Sequence, residues 1–188
     1  MAKVRCDWCN NSEIYVKYHD EEWGEPIIED HKLFEMLVLE SFQAGLNWLT
    51  ILKKREGFRT AFDNFDYQVI SNYSEEKILE LLQNKDIIRH RGKIEAAINN
   101  ANAFIKIQNE FNSFSKYIWG FVAHTPEINS FTSLDQVPAQ TQLSKAISKD
   151  LKKRGFKFLG PTTVYAFMQA VGLVNDHLTY CFKHKKSV

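Results

Sequence analysis

The chain has 188 residues, a formal net charge of +1, 44% hydrophobic and 25% charged residues, and 14 Phe and 4 Trp. These figures exclude a disordered chain and a polycation, fit one domain or one domain with a small lobe, and leave nucleic-acid contact to a local basic face. No apolar run spans a bilayer and no signal-type region opens the chain, so a soluble, cytoplasmic protein is expected, in which Cys6, Cys9 and Cys181 suit metal binding better than disulfides.

Residues 1–28 lack helical periodicity and are dense in Cys6, Trp8, Cys9, Tyr15, Tyr18, His19 and Trp23, which predicts an irregular wrapping segment whose aromatics cap the core or wall a site. Residues 33–44 then read as a helix apolar nearly all round. Leu33, Leu37, Glu40 and Ala44 fall at i, i+4, i+7 and i+11, so Glu40 lies on an inward stripe. An unpaired carboxylate in a core costs several kcal/mol or takes up a proton, so Glu40 requires a donor, a metal, a cationic ligand or water. Gly45 permits a sharp turn and Asn47 can cap a second helix near Trp48, with Lys53, Lys54 and Arg55 towards its C-terminal end.

Ser74 caps a helix with Ile78, Leu79 and Leu82 on one side, and residues 91–109 form a long core helix with Ile94, Ala97, Ile98, Ala101, Phe104, Ile105 and Gln108 at 3 and 4 spacing. A shorter helix over 114–122 and a connecting region over 125–138 follow. Helices over 143–154 and 162–173, the latter opened by Pro161, flank the hairpin-like link 155–160, and a last short helix covers 174–183. No alternating strands stand out, so the fold class is all-α. The expected organisation is a single unit with a helical lobe near 31–135 and a second lobe from the N-terminal segment plus 140–188.

Three constellations carry chemistry. His177 and Cys181, four apart on one helical face, can be two ligands of a tetrahedral ion, with the remainder from Cys6 and Cys9 or from Cys6 and His19. Four protein ligands close a site to water and make it a structural staple. Secondly, Gly155 and Gly160 let the backbone of a helix-hairpin-helix approach a ligand, amides at the start of the Pro161 helix can receive a phosphate oxygen, and Lys152, Lys153, Arg154 and Lys157 surround the turn. Thirdly, a carboxylate beside Trp48, with Tyr18, Trp23 and Trp8, makes a box for a flat cationic ring, although such aromatics also serve as core.

The segments 18–24 (YHDEEWG), 32–36 (KLFEM), 43–48 (QAGLNW), 88–94 (IRHRGKI), 152–158 (KKRGFKF) and 172–177 (GLVNDH) together resemble the DNA-3-methyladenine glycosylase I family of the helix-hairpin-helix glycosylase superfamily. The resemblance covers nearly the whole chain. It implies a monofunctional hydrolase that flips 3-methyladenine out of alkylated double-stranded DNA, releases it as the free base and leaves an abasic site. A structural zinc would be held by Cys6, His19, His177 and Cys181, leaving Cys9 outside.

On the same basis Glu40 is the expected catalytic residue, acting by recognition of the cationic base within a pocket of Trp8, Tyr15, Tyr18, Trp23, Glu40 and Trp48. DNA contacts are expected from Gln43, Gly45, Leu46, Lys153, Gly155, Lys157, Gly160 and Thr162, with Leu46 filling the gap left by the flipped base. Asp176 follows the hairpin at the remove of the superfamily's catalytic aspartate, but the family is understood to lack that residue. No lysine nucleophile is demanded, and a monomer is expected. A non-catalytic DNA-binding module and a zinc hydrolase are the readings from other classes; the first leaves Glu40 unexplained and the second needs an open metal position.

Overall fold

The computed structural model describes residues 3–9 and 12–184. Its helices are α1 (Glu13–Glu21), α2 (Asp30–Gln43), α3 (Trp48–Ala61), α4 (Tyr67–Ile70), α5 (Glu75–Gln83), α6 (Arg91–Phe111), α7 (Phe114–Gly120), α8 (Gln142–Lys153) and α9 (Pro161–Ala170). Two two-residue strands, β1 (Glu127–Ile128) and β2 (Val174–Asn175), form a parallel bridge. The fold is mostly helical, and among the described residues no helix is long and apolar enough to cross a membrane.

Every residue of α2 from Leu33 to Phe42 is buried, as its all-round apolarity requires. This helix packs against α3, α6, α7 and α9. Aromatic contacts fill the space between: Phe34 meets Phe104 edge-on at 5.1 Å, Phe104 stacks on Phe114 at 4.2 Å, and Phe42 meets Phe58 at 4.8 Å. Asp30, in the first turn of α2, accepts from the amides of Phe114 and Ser115, and so caps α7 from a distant part of the chain.

The structure corrects several expectations. Residues 13–21 are helical, because Ile14, Tyr15, Tyr18 and His19 do follow the helical period, with aromatics and a histidine standing where aliphatics usually mark an inward face. The helix of Trp48 continues to Ala61, six residues past Arg55, with Phe58 and Ala61 buried. In α5 the buried positions are Ile78 and Leu81, while Leu79 faces solvent.

The C-terminal residues expected as a helix are instead β2 followed by turns. Their amides are used elsewhere: those of Leu178 and Lys183 point at the sulfurs of Cys6 and Cys181, and that of His177 bonds the Asn175 side chain. His177 and Cys181 therefore do not share a helical face.

The N-terminal segment docks on α9 through backbone bonds from Gly24 to the Gln169 carbonyl and from Ile27 to the Val171 carbonyl. Gly172 allows the approach. It has φ +72°, and a Cβ there would lie 2.5 Å from the backbone of Glu25.

Candidate base-binding site and metal centre

A cavity of about 230 Å³, suited to a small flat molecule, opens between α1, α2, α3 and α9. The structure brings all six expected pocket residues to it: Trp8, Tyr15, Tyr18, Trp23, Glu40 and Trp48, with Gln43 beside them. Trp8 is the hub of the aromatic wall, edge-on to Tyr15 at 5.5 Å and to Trp23 at 5.1 Å. Tyr15 accepts a hydrogen bond from the Leu49 amide at 2.9 Å, which ties α1 to the first turn of α3.

Two carboxylates line the cavity, and their surroundings differ. Asp176 is fully engaged: its Oδ1 accepts from Asn129, and its Oδ2 accepts from the Gln169 amide at 2.7 Å and from the Tyr165 hydroxyl. Glu40 is buried with no hydrogen-bond partner at Oε2, and the Trp48 Nε1 likewise makes none. Desolvation pushes the Glu40 carboxyl up to about 8, and burial with the Glu40 charge nearby raises the Tyr18 phenol well above its usual value. A buried acceptor and a buried donor on one cavity, both unmet by protein, suit water or a ligand with complementary groups.

Leu134, Val137, Ala166 and Gln169 also line the cavity, and none was expected from sequence. The bridge between Glu127 and Val174 carries the connecting segment towards the site. A pairing between residues 47 apart leaves no local signal; Gln169, three positions after Ala166 on α9, did offer the period of a helix face.

Cys6, His19, His177 and Cys181 form a buried cluster whose ligand atoms all lie within 4.8 Å of one another. The Cys181 Sγ is 3.4 Å from His19 Nε2 and 3.6 Å from His177 Nδ1, and Cys6 Sγ is 3.7 Å from His177 Nδ1. Bond lengths of about 2.3 Å to sulfur and 2.0 Å to nitrogen put tetrahedral neighbours about 3.5 Å apart, so the donor set fits one ion.

The outer nitrogens of both rings are held in the way metal-binding histidines require. His19 Nδ1 is 2.9 Å from the Asp20 carboxylate and His177 Nε2 is 3.0 Å from the Trp23 carbonyl, which turns the other nitrogen of each inward. Arg5 grips Asp20 and, with His19, holds its carboxyl down to about 2. The thiol of Cys6 and the nearby histidines favour the thiolate of Cys181. Cys9 stands outside the cluster, its thiol directed at the Cys6 carbonyl, so the Cys6-Cys9 pairing is not the one the fold assembles. Cluster and cavity share a wall: Trp8 packs on His19 at 5.4 Å and Trp23 on His177 at 4.6 Å.

The basic residues near the hairpin-like link, on α3 and at the start of α6 divide by their surroundings. Lys153 and Lys157 are exposed beside the 154–160 link, whereas Arg154 is committed to Asp150 and Glu110 and lies over Phe111 and Tyr117. Arg55 is sequestered by Glu22 and Glu35, Arg91 pairs with Glu75 and Glu95, and Lys93 is buried. In the link, positive φ falls on Gly155 at +93° and on Phe158 at +57°; Gly160, at −67°, caps α9 in a conformation any residue adopts. Thr162 is exposed in the first turn of α9, and Leu46 projects into solvent beyond Gly45.

The helical scaffold around this cavity is shared with solved DNA glycosylases. A crystal structure of 3-methyladenine DNA glycosylase I superposes with a TM-score of 0.94 at 52% identity, covering 97% of this chain and 100% of that one. A variant of 3-methyladenine DNA glycosylase I in complex with 3-methyladenine also reaches 0.94, at 37% identity over 98% of this chain and 99% of its own. DNA-3-methyladenine glycosylase 1 of Escherichia coli (strain K12) is 49% identical over 177 residues, 94% of this chain and 95% of that protein. The methyladenine glycosylase family model matches residues 8–184, and the chain belongs to that family.

Proposed function

We propose that this chain hydrolyses the N-glycosidic bond of 3-methyladenine in alkylated duplex DNA, releasing the free base and leaving an abasic site, with Glu40 as the group that reads the base. The base carries a positive charge in the nucleotide and leaves neutral, so little proton donation is needed. An ionised Glu40 accepts hydrogen bonds from the base edge and favours the cation over ordinary adenine, while Trp48 stacks and Trp8, Tyr15, Tyr18 and Trp23 enclose the ring. The observation that carries this reading is the buried Glu40 Oε2 left without a partner at an aromatic cavity.

A base within the duplex is out of reach, so the nucleotide is extruded at a cost of a few kcal/mol. Leu46, exposed beyond the Gly45 turn with Gln43 behind it, fills the gap as an apolar plug. Helices α8 and α9 with the link between them act as the helix-hairpin-helix, where Lys153, Gly155, Lys157, Gly160 and Thr162 hold the phosphate backbone. Cys6, His19, His177 and Cys181 would hold a zinc ion, which with four protein ligands would supply a structural cross-link.

Base release from DNA treated with a methylating agent, resolving 3-methyladenine from 7-methylguanine, tests the reading with wild type and E40Q. Wild type releases 3-methyladenine without nicking the abasic product, and E40Q is severely impaired. Equal release by E40Q sinks the role of Glu40, and release of neither base by wild type sinks the activity.

A further inference from the structure

Residues 43–46 form a type II turn. Ala44 has φ −47° and ψ 116°, Gly45 has φ +81°, and the Leu46 amide bonds back to the Gln43 carbonyl at 2.6 Å. A type I turn of the same four residues differs mainly by a flip of the central peptide, here Ala44–Gly45, with the end residues left nearly in place, so whatever holds the Ala44 carbonyl selects the turn type and ties the turn that carries Leu46 to its surroundings.

Lys93 holds it. The Lys93 Nζ lies 2.6 Å from the Ala44 carbonyl and 2.8 Å from the Phe42 carbonyl, so one buried ammonium joins the central peptide of the turn to the end of α2, whose last carbonyls lack helical partners. No carboxylate pairs with Lys93 among the described residues, so the carbonyls are its partners in the protein interior.

The same helix grips the hairpin. About 9 Å further along α6, the Asn99 side chain donates to the Gly155 carbonyl at 2.7 Å. Fully buried Asn100 bonds Lys157 twice, donating to its carbonyl at 3.0 Å and accepting from its amide at 2.8 Å. Helix α6 thus spans the two segments that touch DNA in the proposed reading.

We propose that Lys93 is a positioning residue for base extrusion: it pins the turn that carries Leu46 to the end of α2 through the Ala44 and Phe42 carbonyls, on a helix that also sets the place of the backbone-gripping hairpin. This rests on Leu46 acting as the plug. Lys93 touches neither the cavity nor the base, so its removal affects a duplex substrate, in which the gap must be filled, more than a single strand.

The test is kcat/KM for 3-methyladenine release from methylated DNA, assayed as duplex and as single strand, for wild type, K93M, L46A and the double variant, with thermal midpoint and free 3-methyladenine binding as folding controls. K93M is expected to lose about tenfold or more on duplex and under about threefold on single strand, and to have little further effect in the L46A background. Should K93M not fold, K93Q, which keeps a donor, reads the same coupling. Equal losses on both substrates, or losses that multiply in the double variant, overturn the role of Lys93. A wild-type duplex rate in L46A overturns the plug itself, which separates the two failures.

Discussion

Glu40 and Trp48 stand on the two helices that the Gly45 turn joins, line one cavity, and each keeps a buried polar atom, Oε2 and Nε1, that no protein group meets. One accepts and the other donates. A ligand that satisfies both removes two desolvation costs together, so binding in this cavity is selective for groups of the right polarity as well as for shape.

Replacing Glu40 by Gln retains size and removes the charge. The loss is that of a charge-assisted hydrogen bond to a cation in a buried site, about 2–3 kcal/mol, which corresponds to a fall in kcat/KM of about a hundredfold. Base-release kinetics on methylated DNA measure it, and a reduction below about threefold would show the charge to be dispensable. If the ionised form reads the base, wild-type kcat/KM rises with pH towards a plateau above about 8, while E40Q shows no such rise.

Stability should move the other way. With the folded carboxyl raised to about 8 from an ordinary 4.5, the folded state holds one more proton than the unfolded state between those values. Folding stability attributable to Glu40 is therefore present at low pH and falls as pH rises through the window, by an amount on the order of a few kcal/mol. Denaturant melts at pH 5 and pH 8 check this: E40Q gains on wild type at the higher pH, and a wild-type-to-variant difference constant across the window contradicts the buried-carboxyl account.

Metal content follows the cluster. C181S and H19A should lose zinc and lower the thermal midpoint by more than about 10 °C, because such a cross-link carries folding free energy. C9A should keep a full equivalent, since its thiol bonds the Cys6 carbonyl. Elemental analysis beside the melts decides between them; zinc retained by H19A and lost by C9A would assign the ligands differently.

The exposed lysines of the hairpin should act through phosphate. K153A and K157A each weaken binding to any duplex and lower the slope of log K against log salt by about 1. R154A should instead destabilise the fold through Asp150, Glu110 and the Tyr117 ring, leaving the salt slope unchanged. Titrations at several salt concentrations separate the cases.

Much of this architecture was legible where aliphatic side chains mark a helical face. Helices α2, α6, α8 and α9 announce themselves in that way, and Glu40 was conspicuous as the one carboxylate on such a stripe. Helix α1 is hard to read from sequence because Tyr18 and His19, its buried positions, carry polar groups where aliphatic side chains usually mark an inward face. The C-terminal turns have no signal of their own in the sequence, because sulfur atoms, that of Cys6 distant in the chain and that of Cys181 within the turns, take amides that a helix would use. Which lysines and arginines face solvent was not readable either, since the partners of Arg55 and Lys93 lie tens of residues away.

The shared wall of cluster and cavity has a consequence during synthesis. Trp8, Tyr18, Glu40 and Trp48 are made early, but the histidine against Trp23 and the thiol that faces His19 are residues 177 and 181. A growing chain on the ribosome therefore carries most of the pocket's side chains long before it can hold them in register. Truncated products lack Ala166, Gln169 and Asp176, so the wall of the cavity is complete only once the chain has been made through that segment.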